Sequence, residues 1–129
     1  KLEALAKWCD ILMVCCPGGE ATRNLVNEKV LTALGRESYI VNIARGTIID
    51  TDALIKALRE RTIAGAGLDV FPDEPNVPSA LYALDNVVLS PHVAGFTNES
   101  FRGAFELLRD NVRAQLAGRP LLTPVRTRK

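Results

Sequence analysis

Four short apolar runs, ILMVCC (11–16), YIVNIA (39–44), IAGAGLDV (63–70) and NVVLS (86–90), recur along the chain with helical patterns between them. Runs of this length, apolar on both faces, suit the strands of a parallel sheet, whose crossovers cover it on each side. After the second run, DTDALIKALRER places Ala53, Leu54, Ala57 and Leu58 at helical spacing, and Asp50 or Thr51 can cap its first turn. Residues 26–34 predict a shorter helix stopped by Gly35 as a left-handed cap. A long helix is expected from about Asn98 to Ala117, with Phe101, Phe105, Leu108 and Val112 on one face and Gly118 and Pro120 ending it. This alternation over short connections predicts a doubly wound α/β domain with a Rossmann-type parallel sheet and right-handed crossovers.

Ligands of such sheets bind beyond the carboxyl ends of the strands, where the strand-to-helix loops gather. The chemically distinctive residues fall there. The first run ends at Cys16-Pro17-Gly18-Gly19, the second at Arg45-Gly46, the third at Asp69 and the loop carrying Asp73 and Glu74, and the fourth at Pro91-His92. His92 is the one histidine of the 129 residues. A guanidinium, a carboxylate and an imidazole can therefore meet at one rim although they are distant in sequence.

Each has a plainer reading by itself. Arg45 can be a solvated side chain at a strand end, His92 a partner for backbone, and Glu74 a surface acid in the proline-rich loop FPDEPNVPS (71–79). Together they fit reduction of a carbonyl, which needs hydride on carbon, a proton on oxygen and an anchor for the acid. A carboxylate beside an imidazole favours its protonated form, and a guanidinium's planar fork matches a substrate carboxylate. No side chain supplies hydride, so a nicotinamide cofactor is implied. The rival chemistry, a serine or cysteine nucleophile served by His92, finds Ser90 nearby but no G-x-S-x-G elbow, and no basic neighbour in sequence beside Cys15 or Cys16.

Composition narrows the classes further. With 47% hydrophobic and 24% charged residues and a net charge of +1, the chain carries no overall field for nucleic acid or membrane. Its end is locally basic, with Arg102, Arg109, Arg113, Arg119, Arg126, Arg128 and Lys129, read as a solvated helix face and a loose tail. Three cysteines (Cys9, Cys15, Cys16), an odd count without metal-ligand spacing, predict reduced thiols, no metal site and a soluble, cytoplasmic setting. The opening KLEALAKWCD lies already inside an amphipathic pattern and points to a piece of a longer protein.

The stretches VCCPGGEATRNLVN, VNIARGTIIDTDALIKALRERTIAGAGLDVFPDEP and LDNVVLSPHVAGFT, in this order and covering nearly the whole chain, resemble the D-isomer-specific 2-hydroxyacid dehydrogenases. The spacings of 24 residues from Arg45 to Asp69 and five from Asp69 to Glu74 agree with the family pattern. The resemblance implies that His92 is the general acid/base, Glu74 its partner and Arg45 the substrate anchor. It also implies that Asp69 lies near the nicotinamide of NAD or NADP, and that Cys16, Pro17, Ile43, Ala44, Arg45, His92, Val93, Ala94 and Gly95 border that cofactor. A small 2-oxo or 2-hydroxy acid as substrate and a homodimer are implied in the same way. The family often has histidine where Cys15 stands and glycine where Ala94 stands. Glyoxylate or hydroxypyruvate reductase-like members resemble the chain best, whereas formate dehydrogenases carry glutamine at the Glu74 position. Co-repressors that sense dinucleotide on the same fold keep the triad, so a binding protein is an open alternative, as is an inactive fragment.

The family's G-x-G-x-x-G turn is absent from this sequence. GAGLDV (65–70) is not that turn, because it lies inside a predicted strand and opens no helix. Residues 1–97 are accordingly expected to be the second half of a cofactor domain, and 98–129 a helix and tail leading back to a substrate domain.

Overall fold

The computed structural model describes residues 1–125. They divide into two compact units, Lys1–Ala94 and a second from Gly95 onward. In the first, α1 (Leu2–Trp8), β1 (Ile11–Val14), α2 (Glu28–Leu34), β2 (Tyr39–Asn42), α3 (Thr51–Arg59), β3 (Gly65–Leu68), α4 (Ser79–Tyr82) and β4 (Val87–Leu89) follow one another. All four expected strands form, each shorter than its apolar run. They make a parallel sheet in the order β1-β2-β3-β4, in register Leu12↔Ile40↔Ala66↔Val87. The Rossmann-type α/β class is thus the observed one.

The expectation that both faces are covered does not hold for these residues. Leu12, Val14, Ile40, Ala66 and Leu68 point into one core with Ala6, Val30, Leu31, Leu54, Leu58 and Leu81 of the helices, whereas Ile11, Met13, Tyr39 and Val88 on the opposite face are exposed. The order of the strands explains it. Right-handed crossovers that always step in the same direction return every helix to the same side of the sheet. The core is held by burial: Ile40, Ile48, Leu58 and Ile63 are wholly enclosed, each stabilising the fold by about 1.5–3 kcal/mol. Exposed pairs such as Lys56–Glu28 and Arg61–Asp85 contribute little beside this, being screened by solvent.

Local signals set the helix ends. Asn27 caps α2 through the Lys29 and Val30 N–H groups, so this helix starts two residues later than expected; Val26 pairs instead with Ile49 as an isolated bridge. Gly35 has a positive φ of 89° but an extended ψ of 167°, so it is not the expected left-handed cap. Asp50, not Thr51, caps α3, accepting the Ala53 N–H at 3.1 Å. Cys15 and Cys16, expected inside the first strand, lie just beyond it, Cys15 exposed and Cys16 half-buried.

The second unit holds α5 (Asn98–Leu116), capped by Thr97 and followed by Gly118 at φ 64°. Phe101, Phe105, Leu108 and Val112 are exposed. Asn111 accepts the Leu122 and Thr123 N–H groups and donates to the Leu107 carbonyl, folding the segment after α5 back on its last turns. Arg102, Arg109 and Arg113 are exposed on α5, while Arg126, Arg128 and Lys129 lie outside the described residues. Among those residues no helix is long and apolar enough to cross a membrane.

Candidate active site

The carboxyl edge of the sheet is built on two buried polar side chains. Asn42 ends β2 at 1% exposure and Asp69 follows β3 at 4%. A polar group at such depth costs about 1–3 kcal/mol unless it is hydrogen-bonded, and both are satisfied by the turn that leaves their own strand or its neighbour. Asn42 Oδ1 accepts the Ala44 N–H and its Nδ2 donates to the Arg45 carbonyl, each at 3.0 Å. Asp69 Oδ1 accepts the Ser90 hydroxyl at 2.6 Å and the Val93 N–H at 2.9 Å, and Oδ2 accepts the Ala94 N–H at 2.9 Å.

Backbone bonds join the two turns. The Asp69 N–H donates to the Asn42 carbonyl at 3.0 Å, and the His92 N–H donates to the Asp69 carbonyl at 2.8 Å. His92 itself has φ 56°, a left-handed conformation uncommon outside glycine. The bonds from Val93 and Ala94 to Asp69 hold the chain in that turn.

Glu74 reaches His92 from the proline-rich loop. Its Oε2 is 2.7 Å from His92 Nδ1, while Oε1 accepts the Phe71 N–H at 2.8 Å. The carboxyl group is held below the usual carboxylate range, first by the bond with His92 and then by the Phe71 N–H, against an opposing effect of burial. A carboxylate accepting at Nδ1 requires a proton there. Nε2 is then the ring atom left to take or give a proton. For Asp69, burial is the largest influence and raises its affinity for protons, but the Ser90 hydroxyl and the Ala94 and Val93 N–H groups together outweigh it, and the carboxyl stays ionised below its ordinary range.

Arg45 joins this cluster through the backbone. Gly46 sits so close to the Phe71 carbonyl that a Cβ would run into it, which ties the Arg45 turn to the segment whose N–H Glu74 holds. The Arg45 side chain runs along Gly18, where a Cβ would come within 2.6 Å of its Cγ, and Nη1 donates to the Ala44 carbonyl at 2.5 Å. Between the two loops opens a groove of about 570 Å³ lined by Cys16, Pro17, Gly18, Ala44, Arg45 and Thr47.

Of the residues singled out from sequence, Arg45, Glu74, Asp69, His92, Val93 and Ala94 are brought to one edge through these contacts. Cys16, Pro17 and Ala44 line the groove, and exposed Ile43 follows β2 directly. Gly95 is exposed and begins the second unit. Ser90 gives its hydroxyl to Asp69 and not to His92. Sequence reasoning passed over Asn42 and weighed Ser90 only as a rival nucleophile. The signal for Asn42 was available: it is the lone polar residue inside YIVNIA.

The groove offers a small-residue floor at Pro17 and Gly18 and a cation at its side. A guanidinium beside small residues fits a ligand that carries an anionic group, such as a carboxylate or a dinucleotide phosphate.

Comparison with known proteins identifies the family. Residues 1–94 match the model of a family described as D-isomer specific 2-hydroxyacid dehydrogenase, NAD binding domain. The chain is 47% identical over 124 residues to a 2-ketogluconate reductase of Gluconobacter oxydans, covering 96% of the chain and 40% of the relative. Against a glyoxylate/hydroxypyruvate reductase A of Arabidopsis thaliana it is 47% identical over 121 residues, covering 94% and 39%. The crystal structure of an NADPH-dependent glyoxylate/hydroxypyruvate reductase from Sinorhizobium meliloti, in complex with NADP and malonate, superposes with a TM-score of 0.87 at 44% identity, covering 96% of the chain and 39% of that structure. For the holo form of Rhodotorula graminis D-mandelate dehydrogenase the TM-score is 0.92 at 38% identity, covering 98% and 37%. The chain thus spans about two fifths of the length of the relatives it matches.

Proposed function

The chain belongs to the D-isomer specific 2-hydroxyacid dehydrogenases through their NAD-binding domain, and from that premise we propose that the whole enzyme interconverts a small 2-oxo acid and the corresponding D-2-hydroxy acid with NAD or NADP. When bound, the nicotinamide supplies or takes the hydride. The chain's residues position the acid and move the proton. His92 gives a proton from Nε2 to the carbonyl oxygen in reduction and takes it back in oxidation; Glu74, fixed on Nδ1, keeps the ring oriented. Arg45 binds the substrate carboxylate, and its charge draws electrons from the neighbouring carbonyl. Cys16, Pro17, Ile43, Ala44, Arg45, Asp69, His92, Val93, Ala94 and Gly95 would border the cofactor.

The observation that carries this reading is the 2.7 Å contact between His92 Nδ1 and Glu74 Oε2 at the edge where the Arg45 turn also ends. Such a pair leaves one imidazole nitrogen committed and the other available, which is what reversible proton transfer to one oxygen needs. Relatives that reduce glyoxylate, hydroxypyruvate or 2-ketogluconate by name set the first substrates to try. The test follows the absorbance of NADH and of NADPH in the full-length enzyme with each of these acids. Turnover with at least one pair is expected. Absence of turnover with every 2-oxo acid, by a protein that binds dinucleotide, would reject the proposal.

A further inference from the structure

We propose that Asn42 is the positioning residue for Arg45: its carboxamide fixes the turn from which the guanidinium reaches the substrate carboxylate. This rests on the anchoring role given to Arg45 above. Three observations carry it. First, an asparagine stands at an inward-facing position of β2, between Val14 and Leu68 in register, with its side chain closed off from solvent. Neither strand preference nor packing favours it there, since valine or isoleucine fits such a site better. Second, both ends of its amide are used within the next three residues, Oδ1 on the Ala44 N–H and Nδ2 on the Arg45 carbonyl, at 3.0 Å each. The amide so replaces the ladder partners that residues 44 and 45 lose on leaving the sheet. Third, the guanidinium rests on the peptide that lies between those two bonds: Arg45 Nη1 donates to the Ala44 carbonyl. Gly18 lies against the stem of the same side chain, so Asn42 supports the start and the tip of Arg45 and Gly18 its middle.

Asn42 touches no position assigned to a reacting atom; an effect that passes through Ala44 or Asp69 to the cofactor is read in the dinucleotide Kd, and one that passes through Arg45 in the KM for the acid. An aspartate separates its two bonds. Asn42→Asp keeps the shape and the acceptor for Ala44 but replaces the donor to the Arg45 carbonyl by an oxygen. Asn42→Ser, which shortens the reach, takes its place if the buried carboxylate prevents folding. Each is made in the full-length enzyme alone and with Arg45→Lys, and judged by the melting temperature, the dinucleotide Kd, and kcat and KM for the 2-oxo acid.

The expected result is a KM raised about tenfold or more in Asn42→Asp, in line with the sensitivity of bound geometry to small displacements, with kcat changed far less. In the Arg45→Lys background the same substitution should then change KM by less than about twofold, because coupled residues are non-additive. Equal effects in both backgrounds, or a KM unchanged in a folded variant, overturn the proposal. Should Arg45→Lys by itself leave KM where it was, the anchoring role falls first and the proposal falls with it, an outcome distinct from additivity.

Discussion

Glu74 bridges two partners with its two oxygens, taking the Phe71 N–H on one and sitting 2.7 Å from His92 Nδ1 on the other. The imidazole is thereby fixed to the loop that Gly46 packs against, so the turn carrying Arg45 and the turn carrying His92 share one support.

Removing either partner should damage chemistry more than binding. In the full-length enzyme, His92→Ala is expected to lower kcat by roughly 10²- to 10⁴-fold, and Glu74→Gln, which preserves shape but not charge, by about 10²-fold. Steady-state kinetics with the best 2-oxo acid measure both. Unchanged kcat in His92→Ala would end the acid/base assignment.

Acid should unfold the first unit through Asp69 and Glu74. Both carboxyl groups titrate lower in the folded protein than in the unfolded chain, so the stability they add is full above the ordinary carboxylate range near pH 4 and is lost as pH falls through their lower folded values. Urea midpoints should be level from about pH 7 to 5 and fall below about pH 4. Midpoints that stay level down to pH 2 would contradict the assignment.

Ser90→Ala tests the support beneath His92. It removes the 2.6 Å bond to the buried Asp69 carboxylate and should destabilise the protein by about 1.5–3 kcal/mol at neutral pH, as for a hydrogen bond to a charged group. The loss should shrink as pH falls through the lowered folded range of Asp69, where its carboxyl becomes protonated. A pH-independent loss would mean the serine acts by packing alone.

Two glycines should respond in opposite directions. A Cβ on Gly46 meets the Phe71 carbonyl, whereas one on Gly103, within α5, meets nothing within 4 Å. Gly46→Ala is expected to cost about 1–3 kcal/mol or more by overpacking, and Gly103→Ala to stabilise by about 0.5–1 kcal/mol through helix preference. Denaturant titration compares them. A tolerated Gly46→Ala would show that the two loops can separate.

Much of the site was legible before any coordinates. IVNIARG, DEP and SPH each end an apolar run, and parallel strands carry all such ends to one edge, so Arg45, Glu74 and His92 could be grouped by topology alone. The supports were not legible. Asn42 looks like an interruption of a strand and Ser90 like a candidate nucleophile until their partners are seen. The open face of the sheet was missed for a related reason: Ile11, Met13, Tyr39 and Val88 are as apolar as their buried neighbours, and hydropathy does not say which side the helices take.

Sequence by itself determined the four strands, the helices α2, α3 and α5 and the family, because apolar period, caps and turn residues act over a few neighbours and are written locally. Tertiary structure alone decided what Asn42, Asp69 and Ser90 are for. Their meaning lies in hydrogen bonds that exist only once separate strands are in register, where a buried polar group must find its partner or cost the fold its stability.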